Sequence, residues 1–392
     1  MKKYFSQKVT NLPKEPGMFE IYNIANEKER KGDKVIHMEI GRPDFDTPKP
    51  IKDSAVSALN GGLVHYTELS GIYDLRKSIA DRVKESGGLE YNPENEVLVT
   101  AGASEGLYCI WIAFLDNKDE ILIPTPHYSS YTYSLTYAGA KYIKVPIMKN
   151  NKIKYDMQEF KSRLTENTKM ILINSPNNPT GYVNSQEDME NIAEFAIEND
   201  LIVVSDECYD CFVYEGEHKS ISTLPGMRDR TLIVNSTSKT FSMTGWRIGY
   251  VLGNADFIDK IGNIHSHINV CSTSFAQAGA ITAYKDIYKD IDIMVNEFKR
   301  RRDYITDFIS KLDNITFVDP KGAFYIFMNI GELGLTSVDF CKSLLRETGV
   351  AMAPGSAFGV EWEDYVRISY ACSMDDIKKA MNLMKSFIEK IR

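Results

Sequence analysis

The residues best suited to chemistry in this sequence are a lysine and an arginine that lie among hydroxyl groups. Lys239 lies close to Ser236 and Ser238. An apolar strand candidate at 232–234 precedes these residues, and Arg247 follows them. Hydroxyl groups and a guanidinium suit a phosphate ester, because arginine supplies rigid paired donors for phosphate oxygens. A lysine amine in such a setting can condense with an aldehyde once desolvation or a nearby cation lowers its pKa.

A second polar segment carries Asp206 and Tyr209 at the end of another strand candidate. By themselves, a carboxylate there could cap a turn and a tyrosine could be a half-buried aromatic residue. The same segment holds Cys208 and Cys211 in a Cys-x-x-Cys spacing. A zinc site would need two further ligands, and neither a second cysteine pair nor a His-x-x-x-His spacing accompanies it. A redox dithiol would belong to a thioredoxin-like unit, so we interpret the spacing as incidental and predict no metal.

The elements that must position these residues alternate between short β-rich runs and amphipathic stretches. Strands that alternate with helices of this length imply crossover connections and a mainly parallel sheet, which is an α/β fold. The predicted helices include 104–115 and 186–198. The predicted strands are 96–100, 120–123, 142–145, 170–174, 201–206, 231–234 and 247–252.

Polar clusters follow several of these strands at their carboxyl ends. In a parallel α/β sheet, ligands bind beyond the carboxyl ends of the strands. The clusters are the runs 101–105, 174–181, 206–209 and 236–239. Polar strand ends that face one crevice describe an active site more readily than a packing surface.

The pattern changes after about residue 274. A long charged stretch to about residue 312 predicts one or two helices, and a predicted strand at 35–40 stands apart from the large sheet. We therefore expect a large domain over 46–285, a smaller α+β domain over 286–392, and an N-terminal segment over 1–45 that packs with the smaller domain. The remaining predicted elements are strands 315–318, 323–328 and 366–369, a helix at 337–347 and a closing helix from Met374.

Bulk properties exclude several classes of protein. The chain has 392 residues and a formal net charge of −8, and its basic residues form no stripe of the kind that binds nucleic acid. Its longest apolar runs are far too short to span a bilayer, and no apolar region of signal-peptide length follows the first residues. Six cysteines are spread along the chain, which suits reduced thiols. A cytoplasmic protein is the resulting expectation.

The segment 236–250 resembles the cofactor-lysine segment of class I/II aminotransferases, which belong to the fold-type I pyridoxal-phosphate enzymes of the aspartate aminotransferase superfamily. The resemblance extends over nearly the whole chain, with several separate motifs in the family's order. It implies that Lys239 holds pyridoxal 5'-phosphate as a Schiff base and moves the proton of the substrate α-carbon. It also implies that Ser236, Ser238 and Arg247 hold the cofactor phosphate.

Other motifs extend this resemblance to the cofactor ring. The run 206–209 is similar to the family's Asp-Glu-x-Tyr, which implies that Asp206 keeps the ring nitrogen protonated and that Tyr209 binds the phenolic oxygen. The run 174–181 is similar to the Asn-Pro-x-Asn-Pro-Thr-Gly loop, although its Ser-Pro start departs from the usual Asn-Pro. It implies that Asn178 contacts both the phenolic oxygen and the substrate carboxylate.

Two further positions match the family's phosphate loop and its ring-stacking aromatic residue. Backbone N–H groups of Ala103 and Ser104 at a helix start could hold phosphate, although small residues begin many helices. Tyr128 lies where the family places an aromatic ring on the pyridine, and a core tyrosine is the simpler alternative.

The resemblance also implies how substrate binds and how subunits assemble. Arg367, in a strand-like run, matches the arginine that binds the substrate α-carboxylate, although a surface strand could simply carry it outward. Gly41 matches a loop that lets the backbone approach that carboxylate. Tyr66 resembles a tyrosine that each subunit of a family dimer donates to its partner's cofactor phosphate. The protein is therefore expected to be a homodimer with shared active sites.

The implied reaction is a ping-pong transfer of the amino group from an L-amino acid to a 2-oxo acid. No residue identifies itself as the cation for a second substrate carboxylate, so aspartate-type and broad or aromatic specificity both stay open. A carbon–sulfur β-lyase shares the same cofactor apparatus and is the nearest alternative. A non-catalytic pyridoxal-phosphate-binding regulator would need an added DNA-binding module, for which the sequence offers no segment.

Overall fold

A seven-stranded sheet forms the centre of the protein. The computed structural model describes residues 4–10, 18–287 and 291–392. Within them no helix is long and apolar enough to cross a membrane. The strands of the described chain are β1 Ile36–Met38, β2 Val97–Thr100, β3 Glu120–Thr125, β4 Lys141–Pro146, β5 Met148–Lys149, β6 Lys152–Ile153, β7 Thr168–Asn174, β8 Ile202–Asp206, β9 Thr231–Ser236, β10 Gly249–Leu252, β11 Thr316–Phe317, β12 Tyr325–Asn329, β13 Val350–Pro354 and β14 Tyr365–Ser369.

Helices surround this sheet and cover the second one. Ser185 and Asp188 form a capping box at the start of one of them, where each side chain binds the other residue's backbone N–H. The helices are α1 Gln7–Thr10, α2 Met18–Arg30, α3 Lys49–Asn60, α4 Tyr73–Gly87, α5 Ala103–Phe114, α6 Ser130–Ala138, α7 Met157–Lys161, α8 Gln186–Glu198, α9 Thr237–Thr240, α10 Ala255–Ile268, α11 Ser274–Thr282, α12 Ile291–Ile309, α13 Ser337–Thr348 and α14 Met374–Ile391.

The large sheet has the strand order β2-β10-β9-β8-β7-β3-β4. Only β10 runs against its neighbours, so the predicted mainly parallel sheet is confirmed. The strand predicted at 247–252 starts instead at Gly249. The reason is the left-handed backbone of Arg247, whose φ of 58° is incompatible with an extended strand.

Strand register brings the polar strand ends together. Asn174 pairs with Asp206, and Asp206 pairs with Val234 two residues before Ser236. The central strands β8 and β9 are buried along nearly their whole length, and for this reason their sequences are largely apolar runs. Where those runs end, their polar residues meet at a single edge of the sheet.

A five-stranded sheet combines both ends of the chain, in the order β1-β13-β14-β12-β11. The N-terminal strand β1 lies parallel to β13. Sequence patterns did not predict β13. The strand predicted at 323–328 begins at Tyr325 because Ala323 has a left-handed φ of 53°. The domain bounds 1–45, 46–285 and 286–392 stay a prediction, and their residues 1–3, 11–17 and 288–290 lie outside the described residues.

Apolar clusters on both faces of the large sheet hold the site-bearing elements in place. Trp111 of α5 is fully buried, and its indole N–H donates a hydrogen bond of 3.0 Å to Ser134 of α6. Removal of such a side chain costs about 3–5 kcal/mol, so this packing fixes α5 firmly against the sheet. The start of α5 thereby becomes a rigid part of the crevice wall.

Candidate active site

A cavity of about 860 Å³ opens at the carboxyl ends of the parallel strands. It lies between the large sheet and the five-stranded sheet, since residues of both contribute to its wall. Every predicted site residue except Tyr66 lines it. These residues are Gly41, Ala103, Ser104, Tyr128, Asn178, Asp206, Tyr209, Ser236, Ser238, Lys239, Arg247 and Arg367.

Lys239 projects into the cavity from the short helix that directly follows β9. The hydroxyl of Ser236 accepts a hydrogen bond of 3.0 Å from the backbone N–H of Ser238 and so caps this helix. The Lys239 amine donates a hydrogen bond of 2.6 Å to the carbonyl of Gly41. Burial lowers the pKa of Lys239 to about 8, and the positive charges of Arg367 and Arg247 act in the same direction. A substantial fraction of the amine is therefore neutral near physiological pH.

One end of the cavity concentrates groups that bind anions. Gly102, immediately before α5, has a left-handed φ of 82°, and a Cβ there would overlap the Arg247 guanidinium. That guanidinium donates to the carbonyls of Thr244 at 3.0 Å and Ala101 at 3.3 Å, which holds it over the start of α5. The first N–H groups of a helix have no partner within the helix and attract anions. Ala103 and Ser104 supply those N–H groups here, and their binding of the cofactor phosphate stays a prediction.

A buried carboxylate lies deeper in the same cavity. Oδ2 of Asp206 accepts a hydrogen bond of 2.6 Å from the Tyr131 hydroxyl, and Oδ1 accepts one of 3.1 Å from the Cys208 backbone N–H. Burial raises the pKa of Asp206, while these hydrogen bonds lower it. Sequence reasoning missed Tyr131. Tyr131 follows Tyr128 by three residues at the start of α6, and the two rings are in contact. This three-residue spacing could have identified Tyr131 from the sequence.

Two tyrosines form a pair beside the loop that carries Gly41. The hydroxyls of Tyr209 and Tyr325 are 2.8 Å apart, and their rings meet edge to face with centroids 5.6 Å apart. Burial raises the pKa of Tyr325 to about 12, so its phenol stays protonated. A Cβ on Gly41 would overlap the Tyr325 hydroxyl, which explains why glycine occupies this position. Tyr325 was not among the predicted site residues.

Arg367 of β14 is only 3% exposed. Its guanidinium donates to Asn178 Oδ1 at 2.9 Å and to the Glu39 carbonyl, and it lies over the rings of Tyr325 and Phe358. Its Nε has no hydrogen-bond partner. A buried guanidinium N–H without a partner requires an explanation, and a bound carboxylate would provide one. The simpler alternative of an outward-facing surface arginine is wrong.

Tyr128 and Tyr66 have different positions relative to the cavity. Tyr128 is half-buried, and its ring stands at 90° to that of Tyr131 with centroids 5.6 Å apart. Tyr66 is 81% exposed and lies outside this chain's own cavity. Ring stacking by Tyr128 and donation of Tyr66 to a partner subunit stay predictions.

The two cysteines of the Cys-x-x-Cys spacing lie in different environments. Cys208 is buried and lines the cavity, whereas Cys211 is partly buried and accepts a hydrogen bond of 3.7 Å from the Thr240 hydroxyl. Over the described part of the chain, no three His, Cys, Asp or Glu side chains are gathered as metal ligands. Burial raises the pKa of both thiols well above the usual value, which makes them poor nucleophiles.

Comparison with known proteins identifies the family. The sequence model described as "Aminotransferase class I and II" matches residues 33–383. An aspartate aminotransferase of Pyrococcus abyssi is 42% identical over 359 residues, which are 91% of this chain and 92% of that protein. Aromatic-amino-acid aminotransferase 2 of Thermococcus litoralis is 38% identical over 359 residues, with shares of 91% and 92%. The crystal structure of an aromatic aminotransferase from Pyrococcus horikoshii has a TM-score of 0.88 at 40% identity and covers 93% of this chain and 99% of its own.

The chain belongs to the class I and II aminotransferase family. It is a transaminase of fold type I, and its cofactor is pyridoxal phosphate. The predicted fold, enzyme class and cofactor are thereby confirmed. These relatives favour amino transfer over the carbon–sulfur β-lyase alternative.

The residues of the cavity fit pyridoxal phosphate at three separate points. The cradle at Gly102 would be filled by any side chain, and its donors suit a phosphate. The partly neutral amine of Lys239 suits an aldehyde. The buried carboxylate of Asp206 suits a protonated ring nitrogen.

Proposed function

We propose that this enzyme transfers the amino group of an L-amino acid to a 2-oxo acid by a ping-pong mechanism in which Lys239 is the catalytic amine. The observation that carries the proposal is the placement of Lys239, Asp206 and Arg367 in one buried cavity. A proton carrier, a carboxylate that keeps the ring nitrogen protonated and a receptor for the substrate carboxylate are the three functions that transamination requires.

The cofactor, when bound, supplies an aldehyde that links to amines and a ring that accepts electrons from the substrate α-carbon. Arg367 binds the substrate α-carboxylate, since it lines the cavity and its buried Nε has no hydrogen-bond partner. Asn178, which accepts from Arg367, orients the guanidinium and reaches the same carboxylate. Lys239 Nζ takes the α-proton and returns it, and its hydrogen bond to the Gly41 carbonyl steadies the amine.

The remaining residues bind and orient the cofactor. Asp206 would hold a proton on the ring nitrogen, and Tyr209 would donate a hydrogen bond to the phenolic oxygen. Tyr128 would supply an aromatic face for the ring. The phosphate would be held by Ala103, Ser104, Ser236, Ser238 and Arg247. The support for this assignment is that all of these groups line the same cavity and that the anion-binding groups lie together at one end.

We further propose that the enzyme is a homodimer in which Tyr66 reaches the partner's phosphate site. Tyr66 is exposed, and its neighbours Val64 and Leu69 are each 54% exposed. A second cavity of about 670 Å³ adjoins the phosphate site through Arg247, and apolar residues such as Val56 and Leu59 line it. Exposed apolar surface of this kind is typical of subunit interfaces.

We propose a cytoplasmic location because the cysteines are free thiols. None of the six is in a disulfide, and three of them are buried. Reduced thiols along a chain of this size are typical of a reducing compartment.

The experiment that tests the function compares amino transfer with lyase chemistry in the purified, cofactor-loaded enzyme. A panel of amino donors is assayed against 2-oxoglutarate and pyruvate, and cystathionine is assayed for release of pyruvate and ammonia. We expect amino transfer with at least one donor and its loss in Lys239→Ala. Lyase turnover above transamination with every donor would overturn the proposal.

A further inference from the structure

A glutamate and a fully buried histidine form a pair at the first turn of α5. Glu105 is the third residue of this helix, directly after Ser104, and Oε1 of its carboxylate is 2.7 Å from Nδ1 of His265. His265 belongs to α10, which packs against α5, and its side chain is 0% exposed. The function proposed above gives neither Glu105 nor His265 a role, and neither residue lines the cavity.

The Glu105 carboxylate holds the turn that leads into α5. Its Oε2 accepts a hydrogen bond of 2.7 Å from the backbone N–H of Ala101, which precedes Gly102 at the helix start. The carbonyl of the same Ala101 accepts a hydrogen bond of 3.3 Å from Arg247. Glu105 therefore fixes the residue that precedes the anion-binding N–H groups and that also binds the guanidinium.

His265 in turn fixes the Glu105 carboxylate. Nε2 of its ring is buried and has no hydrogen-bond partner in the described part of the chain, so no acceptor there favours a hydrogen on Nε2. The ring hydrogen therefore lies on Nδ1, which donates to Oε1 of Glu105. The Cys109 thiol, one turn further along α5, donates to the same oxygen at 3.3 Å. A carboxylate that is largely removed from water is tolerated when donors surround it in this way.

The anion-binding turn has little room to move. A Cβ on Gly249 of β10 would lie 2.5 Å from the backbone nitrogen of Ala103, so only glycine lets β10 approach the start of α5 this closely. Helix N–H groups bind an anion when they point at it, which requires a fixed turn. Loss of the Ala101 hydrogen bond would release the one side of this turn that Gly249 does not contact.

The charge of Glu105 gives His265 a second task. A carboxylate directly after Ser104 repels an anion bound at the helix start, because like charges raise each other's energy. The Nδ1–H of His265 offsets part of that charge. Without this donor, Glu105 would both lose its orientation and oppose the phosphate.

We infer that Glu105 and His265 are positioning residues for the cofactor phosphate. Glu105 holds the turn 101–104 in its anion-binding geometry, and His265 orients Glu105 and offsets its charge. The inference rests on the proposed function, because it takes Ala103, Ser104 and Arg247 as part of the phosphate site. Glu105 and His265 do not line the cavity, so they act through the backbone of the turn.

Binding of pyridoxal 5'-phosphate and of pyridoxal separates this role from a general structural one, because the two compounds differ only in the phosphate ester. Dissociation constants are measured on the full chain freed of cofactor. His265→Leu should weaken binding of pyridoxal 5'-phosphate at least about fivefold and leave that of pyridoxal within about twofold, since a hydrogen bond to a charged group contributes on this scale. Equal weakening for both compounds, or none for either, overturns the inference.

Two further variants test the donor and the charge. His265→Asn can donate from about the position of Nδ1 and should keep the affinity for pyridoxal 5'-phosphate within about twofold of the parent. Glu105→Gln combined with His265→Leu should bind it at least about twofold more tightly than His265→Leu alone, because the amide no longer repels the phosphate. A loss in His265→Asn as large as in His265→Leu, or no recovery in the double variant, would contradict these tasks of His265.

A spectroscopic readout and a matched control complete the test. The phosphorus NMR shift of the bound cofactor should move in His265→Leu and stay in place in His265→Asn. Ser134→Ala is the control, since it removes the hydrogen bond of 3.0 Å from Trp111 further along α5 and leaves the first turn intact. It should change neither affinity. A selective loss of phosphate binding in Ser134→Ala would show that any loosening of α5 has this effect and would overturn the inference.

The outcomes separate this inference from the proposed function. If the parent enzyme binds pyridoxal as tightly as pyridoxal 5'-phosphate, the proposed phosphate site is wrong and the inference fails with it. If the parent prefers the phosphate ester and carries out amino transfer, yet the variants keep that preference, the inference alone is wrong. If the variants lose the preference and the parent shows no amino transfer, the pair keeps its role and the proposed reaction is wrong.

Discussion

The Tyr131 hydroxyl donates a hydrogen bond of 2.6 Å to Oδ2 of Asp206, and both side chains are buried. Burial raises the pKa of Tyr131 well above its usual value, so the phenol stays protonated and can only donate here. Its donation lowers the pKa of Asp206 against the effect of burial. Tyr131 is therefore a positioning residue whose hydrogen bond favours the ionised form of Asp206.

Tyr131→Phe should lower kcat about tenfold, which corresponds to one hydrogen bond to a charged group. Loss of the donor raises the pKa of Asp206 further, so the ionised form is lost at higher pH and the acid limb of the kcat–pH profile moves upward. The measurement is kcat across pH. Tyr91→Phe is the control, since Tyr91 is buried and its hydroxyl is 2.9 Å from that of Ser222 in another region. An unchanged acid limb in Tyr131→Phe would contradict this role.

The low pKa of Lys239 predicts how covalent capture of the cofactor depends on pH. The neutral amine attacks the aldehyde, so the rate of borohydride-fixable incorporation should rise with pH and level off above about 8. Arg367→Gln removes one positive charge and should shift the midpoint toward higher pH. Lys239→Ala should show no fixed cofactor. A midpoint near the usual lysine value, or covalent labelling retained in Lys239→Ala, would contradict the assignment.

Gly41→Ala should destabilise the enzyme and impair turnover, because the added methyl group overlaps the Tyr325 hydroxyl. We expect a loss of about 1–3 kcal/mol in the free energy of unfolding, measured with denaturant. Tyr325→Phe in the same chain should recover part of it. Gly262→Ala is the control: Gly262 lies within α10 with no atom near its Cβ position, so the change should stabilise by about 0.5–1 kcal/mol. Equal stability of the Gly41→Ala variant and the parent enzyme would contradict this packing.

Arg367→Lys should lower kcat/KM for amino donors about a hundredfold, mainly through KM. Lysine retains the charge but lacks the fork that contacts Asn178 and can bind a carboxylate with two hydrogen bonds. Arg302→Lys is a close control, since Arg302 is also buried and does not line the cavity. Similar losses in both variants would show that Arg367 acts through stability and not through substrate binding.

Mixed dimers test the shared active site. Purified heterodimers of a Lys239→Ala chain and a Tyr66→Glu chain contain one site with both residues intact, so they should show about half of wild-type activity. Each variant as a homodimer should be nearly inactive. If Tyr66 acted within its own subunit, the heterodimer would stay inactive. If the enzyme were a monomer in solution, a mixture of the two chains would likewise stay inactive.

Local sequence was sufficient to predict the large sheet and most of the residues that line the cavity. The central strands of the large sheet are short apolar runs that end in polar residues such as Asp206 and Lys239. Since parallel strands present their carboxyl ends at one edge, the ends of the runs predicted the location of the site. The resemblance to a known family then implied a role for each of these residues. For Arg247 it agreed with the phosphate binding that the residue type and spacing already indicated.

Local sequence was insufficient to predict contacts between distant parts of the chain. Tyr325 meets Tyr209 across 116 positions, and Arg367 meets Asn178 across 189. Met18 and Tyr22 of α2 line the same cavity as Ile40, and no periodicity in the sequence connects these positions. Left-handed backbone at Arg247 and Ala323 likewise shifted two strand starts.

By itself, the sequence determined the class of fold and predicted Lys239 and its neighbours as one site, because strand ends and helix starts are encoded by neighbouring residues. Only the tertiary structure decided that Lys239 is a buried amine with a pKa of about 8, that Tyr131 donates a hydrogen bond to Asp206, and that Arg367 is buried beside Asn178. Burial, charge and shape depend on which distant segments pack together, and that packing exists only in the folded chain.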